Sequence, residues 1–336
     1  MTPLLQVENL TKHFVTRQGT VQAVDDVSLS IGEGETVGLV GESGCGKSTL
    51  GRMIVRLLEP TSGTITLQGK EVAHLRGEAS KRFRRRVQLI FQDPFTSLNP
   101  RSTVGRILEE PLIVHRLGGR DERRAKVEEL LRRVGLSPGA ADQLPHEFSG
   151  GQRQRIGIAR ALALSPELIV CDEPVSALDV SIQAQVLNLL SSLKRQTGIA
   201  YLFISHDLSV IRYIADRIVV MYLGKIVEVA GHDSLWDRPL HPYTQALMAA
   251  VPLPDPQAAR SRERVVLEGD LPSPVSPPSG CRFRTRCPHA VDRCAREEPA
   301  LREVVDGRFV ACHLVTAEND ATAIAPGDSA PPPPAA

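Results

Sequence analysis

The chain has 336 residues, a net charge of +1 and an apolar fraction of 42%. That length allows one large domain plus a smaller one with a sizeable core, and the near-zero charge excludes a global field that would steer the protein to nucleic acid. No apolar stretch approaches the roughly 18–20 residues that span a bilayer, and Met1–Leu10 lacks the charged start and apolar core of a secretory signal, so a soluble or peripheral, cytoplasmic protein is expected.

Residues 3–32 alternate like antiparallel strands: Leu4–Leu10, then Val21–Val24, then Val27–Ile31, with turns at Gly19 and Gly32–Gly34. Phe14, just before the first turn, is an aromatic face suited either to stacking on an adenine ring or to the rim of the core. The apolar run Glu35–Val40 leads into Gly41-Glu42-Ser43-Gly44-Cys45-Gly46-Lys47-Ser48-Thr49, and a helical pattern follows through Val55. This is GxxxxGK[ST] between a strand and a helix, the context of a phosphate-binding loop. Glycines let backbone N–H groups turn toward one concave point, and the helix start adds free N–H groups and the positive end of its dipole. Lys47 is placed to reach β- and γ-phosphates and Ser48 to ligate Mg²⁺. A merely flexible turn does not account for Lys-Ser directly after the last glycine.

Thr61–Gly69 reads as a turn and short strand, and Val87–Phe91 as a buried strand ending in Gln92, a polar side chain able to touch Mg²⁺ or an attacking water, or simply to cap the strand. The basic run Lys81–Arg86 reads first as a solvated helix face and second as a phosphate or lipid contact. Residues 97–165 carry helical spacing and form a mostly helical insert. Within it Phe148-Ser149-Gly150-Gly151-Gln152 opens a helix, either as a second anion cup, useful if it faces another chain's nucleotide, or as an ordinary Ser N-cap. Glu167–Cys171 is a strand ending in Asp172 and Glu173, a carboxylate for Mg²⁺ and a general base for water. Ser176–Asp179 is placed at a dimer seam. Ala200–Ser205 ends in His206, positioned to hydrogen-bond a γ-phosphate. Strands Arg217–Met221 and Lys225–Glu228 close the unit near residue 235, and the alternation of strands and helices argues a parallel-cored α/β sheet.

With these elements in order, residues 3–235 resemble an ABC transporter ATP-binding subunit. The resemblance implies a P-loop ABC ATPase fold with an N-terminal antiparallel β-subdomain, a helical subdomain at about 97–165 and a small C-terminal cysteine-containing domain. It also implies a site that binds ATP and Mg²⁺ through Phe14, Gly41, Ser43, Gly44, Cys45, Gly46, Lys47, Ser48, Thr49, Gln92, Asp172 and Asp179. Ser149, Gly150, Gly151 and Gln152 correspond to the signature that closes on ATP across a dimer; Phe148 stands where Leu is commoner. Glu173 and His206 are the implied catalytic pair, with Ser48, Gln92 and Asp172 at Mg²⁺. Gly41–Ser48, Phe91–Pro94, Ser97–Arg101, Glu173–Asp179 and His241-Pro242-Tyr243-Thr244 resemble the oligopeptide/dipeptide importer branch, in its second, F-type subunit. That branch implies a second, non-identical ATP subunit, two membrane permeases, an extracytoplasmic peptide-binding protein, and a peripheral position on the cytoplasmic face of the inner membrane, with no nucleic acid. Nickel-importer subunits are close relatives; a soluble ABC ATPase acting on nucleic acid or ribosomes is the reading from a different class, disfavoured by the single module and the lack of a heptad arm.

Residues 236–315 are expected to form the C-terminal domain and 316–336 a disordered tail ending in Pro331–Pro334. Residues 252–280 are proline-rich, either linker or chain ordered by contact. Four of the six cysteines, Cys281, Cys287, Cys294 and Cys312, then follow as C-x5-C-x6-C-x17-C. This spacing is wider than that of most structural zinc sites; four thiolates suffice for an iron–sulfur cluster or tetrahedral zinc, and four free thiols in a small domain are the alternative. The importer resemblance tilts the metal toward a 4Fe–4S cluster, with His289 and His313 as reserve ligands for Zn²⁺. Cys45 and Cys171 read as small buried hydrophobes, Cys45 with a side possibility of alkylation beside bound phosphate.

Overall fold

The structure is a computed structural model that describes residues 3–93, 97–251 and 269–316. Two sheets organise it. β1 (Leu5–Thr16) and β2 (Gly19–Ile31) form a long hairpin. The two short strands expected over 21–31 are therefore one strand, which bends where Asp26 takes a φ of 53° and the pairing register slips. β3 (Thr36–Val40) enters the core, the loop of residues 41–46 follows it, and α1 (Lys47–Ile54) leaves the loop. β4 (Ser62–Leu67) and β5 (Lys70–Glu71) complete an antiparallel sheet of order β2-β1-β4-β5. α2 (Gly77–Arg86) carries the basic run with Lys81, Arg82, Arg84 and Arg85 outward and Phe83 buried.

β6 (Val87–Ile90) is one residue shorter than expected: Phe91 is 41% exposed and lies under the Arg160 guanidinium. The insert is helical, as expected. It contains α3 (Val104–Val114), α4 (Arg120–Arg133), two single turns at Pro138–Asp142 and Pro145–Glu147, and α5 (Gly150–Leu162). Then come β7 (Leu168–Asp172), α6 (Val180–Thr197), β8 (Ala200–Ser205), α7 (Leu208–Ile214), β9 (Arg217–Tyr222) and β10 (Lys225–Gly231). The last described elements are α8 (His232–Asp237), α9 (Pro242–Ala249), α10 (Asp292–Arg296), β11 (Arg302–Val305) and β12 (Arg308–Val310).

The second sheet has the order β11-β12-β10-β9-β3-β8-β7-β6. Its middle, β9-β3-β8-β7-β6, is parallel throughout, and every residue of β3, β7 and β8 is buried, which is why these strands read as continuous apolar runs. The two faces sort by strand alternation. Leu168, Val170, Leu202 and Ile204 join the core shared with the N-terminal sheet, whereas Ile169, Cys171, Tyr201 and Phe203 join the core beneath the helical insert. One helical and one β subdomain are thus anchored to opposite faces of one sheet.

The C-terminal segment is an extension of this sheet. β12 pairs antiparallel with β10, Glu228 opposite Val310, and Val310, Cys312 and Val315 form a small core with Leu240 and Val304. The buried Glu228 carboxylate accepts the Leu240 and His241 N–H groups and faces Arg308. Burial pushes its carboxyl above the usual range, against the pull of those donors. Of the proline-rich stretch, Pro252, Pro254 and Pro256 lie outside the described residues. Pro274 is ordered by contact, its carbonyl accepting the Gln22 N–H. The tail beyond Thr316 also lies outside the described residues.

Candidate nucleotide site

Four neighbouring parallel strands end on one edge. Val40 of β3 is level with Ser205 of β8, Asp172 of β7 with Ile204 of β8, and Ile90 of β6 with Cys171 of β7. The register therefore brings the loop after Val40, Asp172–Glu173, His206 and Gln92 together at the carboxyl ends of the strands, where open α/β sheets bind ligands.

The loop is shaped by two close approaches. A Cβ at Gly41 (φ 153°) would sit 2.1 Å from the Met221 carbonyl oxygen, and one at Gly46 (φ 107°) 2.1 Å from the Ala23 carbonyl oxygen, so only glycine fits either position. Ser43 and Gly44 lie exposed at the tip. Gly46 caps α1 without a side chain, leaving the first-turn N–H groups of Lys47, Ser48 and Thr49 free for an anion. Lys47 is 4% exposed; its ammonium donates to the Gly41 and Glu42 carbonyls at 2.8 and 2.9 Å and lies 3.8 Å from Cys45 Sγ. The loop closes on its own lysine, which holds the charge where phosphate oxygens would replace carbonyls. Burial pushes the Cys45 thiol up, against Lys47, and Cys45 is 1% exposed; this is the buried-hydrophobe reading, and it removes the side possibility of an alkylation-prone thiol. Cys171 is likewise fully buried with its thiol pushed up.

Ser48 Oγ donates to Asp172 Oδ1 at 2.6 Å. Burial raises the Asp172 carboxyl, and Ser48, Arg52 and Lys47 pull it back; a buried carboxylate facing a hydroxyl is a donor set suited to a hard cation. Glu173 follows with a φ of 47°. Its N–H stays on Ile204 in the sheet at 3.1 Å, and the left-handed backbone then breaks the strand direction, a conformation that costs a non-glycine residue about 1–3 kcal/mol and clusters at functional sites. The Glu173 carboxylate is gripped from both sides: Gln92 Nε2 donates to Oε2 at 2.8 Å and His206 Nδ1 lies 3.0 Å from Oε1. Sequence reasoning had placed these three on separate strand ends; the sheet register turns them into one unit.

The remaining expected residues do not join this cluster. Phe14 lies in β1 opposite Val21, with Lys12 Nζ 5.1 Å from its ring centroid. Ser149 is the N-cap of α5: its hydroxyl accepts the Gln152 N–H, and Gln152 Oε1 accepts the Ser149 N–H at 2.9 Å. The N-cap reading of this stretch is what the structure shows, with Ser149 and Gln152 exposed. Gly151 lies tight under α6, a Cβ there falling 2.4 Å from Ile182. Asp179 is exposed ahead of α6, beside Val180 at 82% exposure.

Cys281, Cys287, Cys294 and Cys312 line one small cavity, about 10 Å³, with His241, Phe283 and His313, room for at most one water. Burial, with neighbouring thiols adding to it, pushes Cys281 up to about 11 and Cys287 up to about 12. Among the described residues no three His, Cys, Asp or Glu side chains are arranged to hold a metal ion. Neither the iron–sulfur nor the zinc expectation finds a metal-holding arrangement among the described residues, and His313 Nε2 is engaged by the Glu297 carbonyl at 2.9 Å.

What sequence reasoning missed entirely is the outer wall of the loop. The Glu42 N–H donates to the Tyr243 hydroxyl at 2.9 Å, and Arg286 Nη1 donates to both Glu42 carboxylate oxygens at 3.0 and 2.8 Å. No local signal connects positions 244 residues apart.

A phosphate loop, an acid pair and a histidine on one parallel-sheet edge, flanked by a helical insert and an antiparallel subdomain, define an ATP-binding cassette ATPase. Comparison agrees: residues 24–176 match the ABC transporter family and residues 227–294 the oligopeptide/dipeptide transporter C-terminal region. The chain is 54% identical over 319 residues to the oligopeptide transport ATP-binding protein AppF of Bacillus subtilis, covering 93% of this chain and 97% of that protein. It is 56% identical over 314 residues to YkfD of the same organism, provisionally named an oligopeptide transport ATP-binding protein, covering 93% and 95%. Among solved structures, the cassette MJ0796, dimeric and bound to ADP and Pi, superposes with a TM-score of 0.62 at 32% identity, covering 68% of this chain and 98% of that one. The chain belongs to the ATP-binding subunits of the oligopeptide/dipeptide ABC transporter family, and it is an ATPase. Among its described residues no helix is long and apolar enough to cross a membrane.

Proposed function

We propose that this chain hydrolyses ATP to power peptide uptake through an ABC importer, at the cytoplasmic face of a membrane and in contact with two permeases. The nucleotide unit spans 1–235 and the transporter-type C-terminal part 236–315. The observation that carries the reading is the Glu173 carboxylate held between Gln92 and His206 on the edge that bears the phosphate loop. Lys47 exchanges the Gly41 and Glu42 carbonyls for phosphate oxygens. Ser48, Asp172 and Gln92 are the groups that would hold Mg²⁺, which when bound neutralises the phosphate charge; the buried Asp172–Ser48 pair supports that assignment. Glu173 accepts the proton of the attacking water, and His206 keeps the carboxylate aimed and marks the γ-phosphate. Phe14 stacks on the adenine ring. Ser149–Gln152, with Asp179 at the seam, serves the nucleotide of a second ATP subunit, a homologous but non-identical chain; a peptide-binding protein outside the membrane delivers the substrate.

Glu173→Gln keeps the hydrogen bonds in place and removes the base. Turnover is expected to fall about 10²–10⁴-fold while ATP binding persists and the dimer is trapped closed. The measurement is ATPase activity of the purified complex with the partner's site also disabled; activity near wild type would remove Glu173 from the role of base.

For the four cysteines we propose a 4Fe–4S cluster as occupant, supported by the four thiols that border one cavity. A cluster needs more room than the cavity between these thiols leaves, so the thiols would have to part around it; once held, it would staple the segment without taking part in hydrolysis. Iron and acid-labile sulfide in anaerobically purified protein, near four of each per chain, are the expected analysis; protein free of both would sink the assignment.

A further inference from the structure

A carboxylate on a phosphate-binding loop is an electrostatic liability. Glu42 belongs to the arch itself: its carbonyl holds Lys47 Nζ and its N–H is turned outward to Tyr243. Its charge is felt inside the loop, where it adds to the upward push on the Cys45 thiol. A triphosphate entering the cup meets this field at short range, in partly desolvated surroundings where screening is weak.

The protein answers with Arg286. The guanidinium bonds both Glu42 oxygens and is 9% exposed, against 25% for Glu42. It comes from the cysteine-bearing turn, one position before Cys287, and is walled in by an aromatic cluster. Tyr222 and Tyr243 rings lie 4.7 Å apart, Tyr222 and Phe283 5.2 Å, and Tyr243 and Phe283 5.4 Å. Arg282 anchors the same turn to Asp25, Gln22 and the Leu223 carbonyl. The charge facing Glu42 is thus delivered by a rigid support, not by a mobile surface side chain.

We propose that Arg286 is a positioning residue of the ATP site: it neutralises the Glu42 carboxylate and, with Tyr243, fixes the outer side of the phosphate loop, so that the C-terminal cysteine turn sets the affinity for nucleotide. The proposal rests on the loop being the ATP site. It differs from a simple structural clamp in the sign of one substitution. If the pair only glued the segments together, losing either partner would cost the same. If Arg286 shields the phosphates from Glu42, removing the arginine exposes a repulsive charge, while removing the carboxylate charge relieves it.

The test is binding of a fluorescent ATP analogue to the full chain, with melting temperature measured in parallel. Arg286→Ala is expected to raise Kd about three- to tenfold at low salt, less at high salt, as screening dictates. Arg286→Lys recovers most of the affinity. Glu42→Gln binds about two- to threefold more tightly than the wild type, and Glu42→Gln with Arg286→Ala returns to the level of Glu42→Gln alone. A loss in Glu42→Gln equal to that in Arg286→Ala, or no rescue in the double variant, overturns the proposal, and both outcomes are readable in Glu42→Gln and Arg286→Lys even if Arg286→Ala fails to fold. Lys47→Ala is the reference: if it loses binding while Arg286→Ala binds normally, this proposal alone fails; if it binds normally, the ATP site fails and the proposal with it.

Discussion

The two small-residue helix starts of this protein, at Gly46 and at Ser149, are built on opposite plans. The loop of residues 41–46 is complete within the chain: it has a buried lysine, a helix start, a hydroxyl–carboxylate pair and a gripped base on neighbouring strand ends. The stretch Ser149–Gln152 carries no cation, and each of its two polar side chains accepts the other residue's backbone N–H. A helix N-terminus alone stabilises an anion only modestly, so this second cup becomes useful when another chain brings a nucleotide already held elsewhere. The difference teaches that one chain carries one strongly built anion site and one weak helix start; on the proposed reading, hydrolysis then belongs to a pair.

The largest test of this contrast is Lys47→Ala, which removes the only ammonium among the loop's own residues. Nucleotide affinity of the isolated chain is expected to fall about a hundredfold, as loss of charge-assisted bonds to phosphate implies, checked by titration with labelled ATP. Ser149→Asp should act in the other cup alone. Asp caps a helix as well as Ser, so the melting temperature should hold, and the isolated chain should still bind ATP. Turnover of the assembled complex should drop about a hundredfold, because like charge against phosphate costs several kcal/mol. If turnover survives, the second cup does not face a phosphate and the contrast collapses.

A smaller effect is expected at Gly151. The Cβ of Gly151→Ala presses on Ile182, and overpacking of this kind costs about 1–3 kcal/mol, readable as a shifted denaturant midpoint without loss of nucleotide binding by the isolated chain. The smallest effect is at Cys45. A buried thiol held above its usual range presents little thiolate, so alkylation near pH 8 should run at least about tenfold slower than for a free thiol, by mass spectrometry. Rapid modification would mean that the loop opens far more often than its internal bonds allow.

Much of the site was legible because its chemistry is local. GxxxxGK[ST], the acid pair after an apolar run and the histidine after another are short patterns, each constrained by a single strand end. The parallel core was legible as well, since strands buried on both faces have nowhere to place polar residues. The hairpin was misread as three strands because the bend at Asp26 looks like a break when only alternation is available. Phe91 was read as core because a strand's last residue and the first residue beyond it share the same composition.

Sequence by itself determined the fold class, the phosphate loop and the residue types at each strand end, because steric and chemical rules act there over a few neighbouring positions. Only the tertiary structure decided that Gln92, Glu173 and His206 form one hydrogen-bonded unit, since strand order and register bring them together. It also decided that a turn near the far end of the chain lends Arg286 to Glu42. Contacts across 81 and 244 residues leave no periodicity to read; the first exists because β6 pairs with β7, the second because the chain after β10 returns to the sheet, where β12 pairs with β10, and packing then selects which charges meet.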